Sequence, residues 1–408
     1  MNFLTKDMTI SNKKLLAVIL LFSSSFAWFF IFHQYFDNLI SPGTSLDAFG
    51  YNASIIIFLV CIVISAFIGS IIVEKVNRRK FLLFWIVFGI LATFPIFFFR
   101  GDEFLIIFAI LAGSSFGLGF PSCQAFIADS TTPEERGRVA GIVILVSFVL
   151  VIFSFFMVSA LALESTGILL LSILIKSIGF LSLALDPIKR PKGKPKPWRA
   201  VLGSKDFNYY LLAYVLFNVA AGLVSLLWQG LPPTPPYDDV TRIGGAIRLV
   251  GLGVFAIIAG VMADRIGRKK PILLGLIMLG AAYAVVGLLT SPETYFVNLM
   301  LSAMAWGVIM VVYLVVPGDL SYPGSTERYY TVGWVLPLIF NIGIQGIGSL
   351  SGFAPPIDLF STILILILFT SIVPVLYAVE TLSESKLRRR RFRDYTDKVG
   401  KIIQDSKK

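Results

Sequence analysis

Charge is scarce in this chain. Asp, Glu, Lys and Arg make up 14% of its 408 residues, against about 25% in soluble domains, which excludes a body solvated on all sides. There is one histidine, and there are two cysteines. A lone histidine with no Cys/His cluster cannot complete a tetrahedral ligand set, so no structural metal is expected. Cys61 and Cys123 fall inside apolar runs, where they pack as small apolar residues and form no disulfide. The chain has no GxxxxGKS/T loop, so ATP is not its energy source. No cofactor and no enzyme chemistry are expected.

Apolar sequence is abundant. The chain is 56% hydrophobic, with a mean hydropathy of +0.84. Windows of about 20 apolar residues mark membrane-spanning helices. Twelve are predicted, at 15–36, 50–73, 80–99, 103–128, 137–160, 166–186, 207–230, 243–263, 270–290, 294–317, 331–352 and 357–379. The first is too long for a secretory signal and lacks a small-x-small cleavage site. The expected fold is an all-α integral membrane protein of two pseudo-symmetric six-helix bundles, 15–186 and 207–379. They are flanked by an amino-terminal segment 1–14, a basic linker 187–206 and a basic tail 380–408. In the linker, PIKRPKGKPKPWRAVLGSKD, the four prolines up to Pro197 favour extended polyproline II, expected to act as a semi-rigid spacer. The short outer loop Leu231–Thr241, LPPTPPYDDVT, leaves no room for an external domain.

The bundles repeat each other. Residues 70–80 read SIIVEKVNRRK and residues 260–270 read GVMADRIGRKK, placing Glu74 and Asp264 190 positions apart; Asp129 and Asp319 have the same spacing. Two motifs at one offset mean a duplicated unit, and facing duplicated bundles are how secondary transporters build a midplane site with alternating access. With the amino terminus in the cytoplasm, every Lys and Arg falls on the cytoplasmic side except Arg100, Lys176, Arg242 and Arg248. The positive-inside rule therefore places both termini in the cytoplasm of a multi-pass plasma-membrane protein. The net charge of +11 is then an insertion signal, and no nucleic-acid partner is expected. The polybasic Arg388–Arg391 stretch adds contact with anionic lipid.

GVMADRIGRKK closely resembles the loop signature of the major facilitator superfamily, glycine-x-x-x-aspartate-arginine-x-glycine-arginine-basic, and the resemblance extends over the whole chain. The first copy departs from it at Ser70, Glu74 and Asn77; Asn tolerates the left-handed backbone that the second glycine provides. The resemblance implies a latch that holds one state of the transport cycle. Glu74 then faces the start of the eleventh span, Arg78 pairs with Asp129, and Asp264, Arg268 and Asp319 repeat the arrangement. Arg136, Arg265 and Arg328 are assigned to the same latch. Acids in these loops do not serve insertion, whereas Arg79, Lys80, Lys269 and Lys270 are read as plain insertion signals. Tyr313–Gly333, Ile347–Ile357 and Val379–Leu382 look most like sugar porters and metabolite–proton symporters. The glycine-proline motif of drug antiporters is missing, since Val139–Leu161 holds only Gly141 and no proline.

Ionisable groups inside spans are costly and default to function. Arg248 in span eight suits a carboxylate or phosphate through its bidentate fork, or else snorkels to the outer interface. Lys176 lies too deep in span six to snorkel. His33 and Asp37 are i, i+4 on span one, placed to exchange a proton, or else a packed polar residue and an interfacial acid. Asn341 and Gln345 are i, i+4 on span eleven, placed to bind hydroxyls or to join helices. Asn218 and Gln124 are secondary candidates. Trp28, Trp228, Trp306 and Trp334 line a cavity or serve packing. The expected function is alternating-access transport of a small polar solute, a sugar or organic acid, by a monomeric proton symporter. A drug or metabolite efflux antiporter and a non-transporting membrane sensor are the alternatives.

Overall fold

Apolar runs of this length cross a hydrocarbon layer only when each backbone group is hydrogen-bonded internally, which a helix achieves within one segment. The computed structural model describes residues 8–36, 39, 48–98, 102–191, 193–230, 237–286, 292–351 and 357–382, and no strand occurs among them. In the first half, α1 is Asn12–Gln34, α2 Ala48–Lys75, α3 Arg78–Leu91 and α4 Asp102–Ser130. They are followed by α5, Arg136–Ala160, and α6, Ser165–Ser177, which continues through Gly179–Leu185. A short turn of helix, Trp198–Leu202, lies in the linker. In the second half, α7 is Lys205–Gly230, α8 Tyr237–Ile266, α9 Lys269–Val286 and α10 Pro292–Leu320. The next helix, α11, comes in three pieces, Thr326–Tyr330, the π-helical Thr331–Val335 and Leu338–Ser351; α12 is Ile357–Tyr377.

Ten helices among the described residues are long and apolar enough to span a membrane. The ninth and eleventh predicted spans are helical as well but are not among those ten. The reading of Leu231–Thr241 as loop needs correction: helix α8 already begins at Tyr237. The Arg388–Arg391 stretch and the rest of 383–408 lie outside the described residues.

The two copies of the loop signature turn differently. Gly267 has φ +93, a left-handed conformation that glycine adopts without a Cβ penalty. Asn77 is not left-handed. It sits at φ −68 and ψ 122 and caps α3, accepting from the Arg79 and Lys80 amides at 2.9 and 3.4 Å. The departure at Asn77 is thus met by side-chain capping, not by a glycine-like backbone.

Within the halves α2 packs on α4 and α8 on α10; between them α5 lies on α8 and α2 on α11. The α5–α8 crossing is tight because two glycines face each other. A Cβ on Gly137 would lie 2.6 Å from the Gly260 carbonyl oxygen. Four charged junctions, α2–α3, α4–α5, α8–α9 and α10–α11, meet at one face, the basic face.

Candidate functional site

Helix ends at the basic face expose unpaired amides and carbonyls, and the sequence places acids and arginines among them. Arg78 opens α3 and reaches two acids. Its Nη2 donates to Asp129 at 2.8 Å within the same half and to Glu327 of the other half at 2.5 Å. Arg328 donates to both carboxylate oxygens of Glu74, at 2.5 and 2.6 Å, in a bidentate pair across the seam. Thr326 adds a hydroxyl bond to Asp129 at 3.1 Å.

The second corner is built around Asp264. It accepts from the Gly137 and Arg138 amides at the start of α5, at 2.8 and 2.9 Å, and from Arg138 Nε at 3.2 Å, all across the seam. Arg268, which donates to Asp264 at 3.1 Å, also donates to Asp319 at 2.9 Å and to the Pro133 carbonyl of the other half. Arg136 reaches Asp319 across the seam at 2.5 Å. Asp264, Arg268, Glu327 and Arg78 are all buried.

The two corners differ for a reason the repeat makes plain. Gly137 occupies the place that Tyr329 holds in the second copy, counted from Glu135-Arg136 and Glu327-Arg328. With no side chain at Gly137, the short Asp264 carboxylate reaches helix-start amides, where an anion is favoured. The longer Glu74 faces the start of α11 as expected, but it meets the Arg328 guanidinium instead of amides.

Arg138 and Glu327, in the Glu135–Arg138 and Glu327–Tyr329 stretches of the repeated loops, carry cross-seam pairs. What escaped the sequence reading is the docking of the linker, the tail and the amino-terminal segment onto these loops. Arg190 of the linker donates to Glu327 at 3.2 Å and to the Gly324 carbonyl at 2.5 Å. Glu380 accepts from the Arg268 and Lys269 amides at 2.7 and 3.2 Å, capping α9. Glu135 holds the amino-terminal segment through the Thr9 hydroxyl at 2.7 Å and the Ile10 amide at 3.2 Å, and accepts from the Thr132 amide at 3.1 Å. Burial alone would raise its carboxyl pKa; these donors outweigh that and hold it below the ordinary value. Arg265, assigned to the latch, is exposed at the end of α8, whereas Arg268 is buried.

The residues expected to bind solute or proton are scattered. His33 is exposed near the end of α1, its ring 5.8 Å from that of Phe29; Asp37 lies outside the described residues. Gln345 donates to Asn341, both half-buried, and Asn218 donates to the Tyr214 carbonyl at 2.8 Å. Arg248 is exposed and shares a face of α8 with Gly244 and Gly251, the two positions that pack on Leu299 and Ala303 of α10. Lys176 is fully buried inside the first half. Its Nζ donates to Ser25 Oγ at 3.2 Å and lies 3.8 Å over the Trp85 ring and 5.2 Å from that of Trp28, a cation–π enclosure. Trp306 is half-buried and meets Phe217 edge-on at 4.7 Å. The Trp228 side chain lies outside the described residues.

A helical bundle with duplicated charged loops narrows the family, and the sequence decides it. Residues 15–344 match the family described as the Major Facilitator Superfamily. The chain belongs to the major facilitator superfamily. No curated protein matches it. Among solved structures it is similar to a bacterial homologue of the iron transporter ferroportin in an outward-facing state, with 15% identity, a TM-score of 0.70, and 90% of this chain and 98% of that one covered. A second structure of such a homologue, with soaked iron, gives 15% identity and 0.68 over 90% and 98%. The human organic anion transporter MFSD10 (TETRAN) gives 13% identity and 0.66 over 89% and 99%. At these identities the likeness shows the fold: an all-helical membrane protein of the kind that the superfamily's transporters share.

Proposed function

We propose that the chain is a secondary transporter that carries a small polar solute, a sugar or organic acid, by alternating access with proton symport. It is proposed to work as a monomer in the plasma membrane with both termini cytoplasmic. The reading rests above all on the buried ion pairs that cross the seam at one face, Arg78–Glu327, Arg138–Asp264 and Arg136–Asp319. Such pairs are made in one state and broken in another, so they bias a two-state equilibrium. Under this reading the basic face is the cytoplasmic gate, closed here, and Glu74, Arg78, Asp129, Arg136, Asp264, Arg268, Asp319 and Arg328 form its latch. The bundles 15–186 and 207–379 are the rocking bodies. His33 at the far end of α1 is proposed to exchange the proton with Asp37. A static sensor has no need of breakable pairs at its seam.

Spin labels on exposed positions of the two halves, Lys80→Cys and Lys270→Cys, with Cys61 and Cys123 replaced by Ser, test the gate. A short distance across the basic face is expected, and Asp264→Asn is expected to add a longer one. A single distance that neither Asp264→Asn nor any transported solute changes would remove alternating access. Uptake into proteoliposomes that is insensitive to pH in both wild type and His33→Ala would remove the symport part alone.

A further inference from the structure

Gln124 and Trp334 carry polar groups that folding leaves unmet. Both lie where the two halves meet. Gln124 is fully buried on α4, and neither atom of its amide has a hydrogen-bond partner among the described residues. The Trp334 indole N–H, on the π-helical piece of α11, has none either, and its ring is 9% exposed. Single π turns inside α-helices are frequent at functional sites. Phe120, one turn before Gln124 on the same face of α4, lies with its ring 5.1 Å from that of Trp334 across the seam. One turn further on, Ala128 packs on Gly318 of the other half, beside the gate. Gln124 therefore sits between an aromatic contact and the closed latch, on the seam.

The repeat shows that folding does not need this amide. At the offset of 190 that relates Asp129 to Asp319, the residue matching Gln124 is Leu314, which is also buried. Burying an unpaired amide where leucine serves is unfavourable, so the amide's retention points to a partner outside the chain. An amide offers one acceptor oxygen and two donor hydrogens, and an indole N–H offers a donor. A hydroxyl both donates and accepts, and so meets all of these groups. A carboxylate has no hydrogen to give to the amide oxygen. The gate arginines Arg78 and Arg136 are paired with acids, with Arg78 Nη1 left without a partner among the described residues.

We infer that Gln124 and Trp334 are the hydrogen-bonding floor of the solute site and take a neutral polyhydroxylated solute, whose C–H face rests on the rings of Phe120 and Trp334. The inference rests on the transporter reading and selects sugars or polyols over organic acids. Thermal shifts of the purified protein test it against hexoses, pentoses and acyclic polyols, each beside its carboxylate counterpart, as glucose beside gluconate. A neutral member is expected to bind, and Gln124→Leu and Trp334→Phe are each expected to weaken it about tenfold. Without solute, Gln124→Leu is expected to hold or raise the transition, since it removes an unpaired polar group. Binding by carboxylates alone, by nothing in the panel, or by a neutral member indifferent to both substitutions would overturn the inference, as would a lowered transition in solute-free Gln124→Leu. The spin-label distances across the basic face remain an independent readout of alternating access, so the two ideas fail separately.

Discussion

Asp264 neutralises part of a corner that holds two buried guanidiniums, Arg138 and Arg268. Substitution by Asn keeps the shape and removes the charge. Breaking a buried pair from one side is destabilising by about 3–5 kcal/mol, and here the open gate offers relief by returning the arginines to water. Asp264→Asn is therefore expected to raise the reactivity of a cysteine placed on the α5 face of this corner, with a smaller effect on the unfolding temperature. Glu135 gives a pH prediction of definite sign. Its carboxyl pKa is held below the ordinary 4.5, so its contribution is complete above that value and is lost as the pH falls through the depressed one. Protection of the Thr9 and Ile10 amides against exchange, taken relative to the intrinsic rate at each pH, is expected to fall on acidification, and to be low at every pH in Glu135→Gln. Asp129, Asp264 and Asp319 were legible because acids in basic loops do nothing for insertion. Glu327 was marked by the repeat, but its partners were not: Arg78 and Arg190 lie 249 and 137 residues away in sequence, and no local pattern encodes that meeting.

The α5–α8 crossing depends on having no Cβ at Gly137 and Gly260, each of which faces the other's carbonyl oxygen. Gly260→Ala forces these helices apart at the gate while leaving the rest of each bundle untouched. It is expected to populate the longer Lys80–Lys270 distance without loss of expression; an unchanged distance would mean that the crossing adapts. The linker makes a similar argument. Its prolines were legible as an extended spacer, but its docking was not. The Lys196 amide donates to Ser325 Oγ at 2.7 Å, Arg328 donates to the Lys196 carbonyl at 2.5 Å, and the Arg328 guanidinium lies 5.1 Å from the Trp198 ring. A segment tied this way to the α10–α11 loop acts, under the proposed function, as a strap over the gate. Arg190→Ala combined with Ser325→Ala is expected to loosen it, read as faster proteolysis within 187–206. The π-helical turn of α11 left no mark in the sequence, because the apolar periodicity that reveals a helix is indifferent to one extra residue in a turn.

Under the proposed function, two bundles joined by the linker and a few buried pairs form a two-state body whose balance is set at one face. Hydropathy and the 190-residue repeat made the bundles legible, because apolar length and internal satisfaction of the backbone leave few choices in a membrane. The state in which they rest was not legible, since it depends on which charges meet across the seam. Ionic strength separates a buried seam from a solvated one. Charges in water are screened over about 10 Å at 0.1 M salt and about 3 Å at 1 M, while buried pairs are screened far less. Arg78, Glu327, Asp264 and Arg268 have side chains with no exposed surface, so the closed state should be almost indifferent to salt. The Lys80–Lys270 distance is expected to be the same in 0.05 M and 1 M KCl. Opening by salt alone would mean that the pairs are reached by water, and that the weight of the closed state falls on the α5–α8 crossing and the linker strap instead.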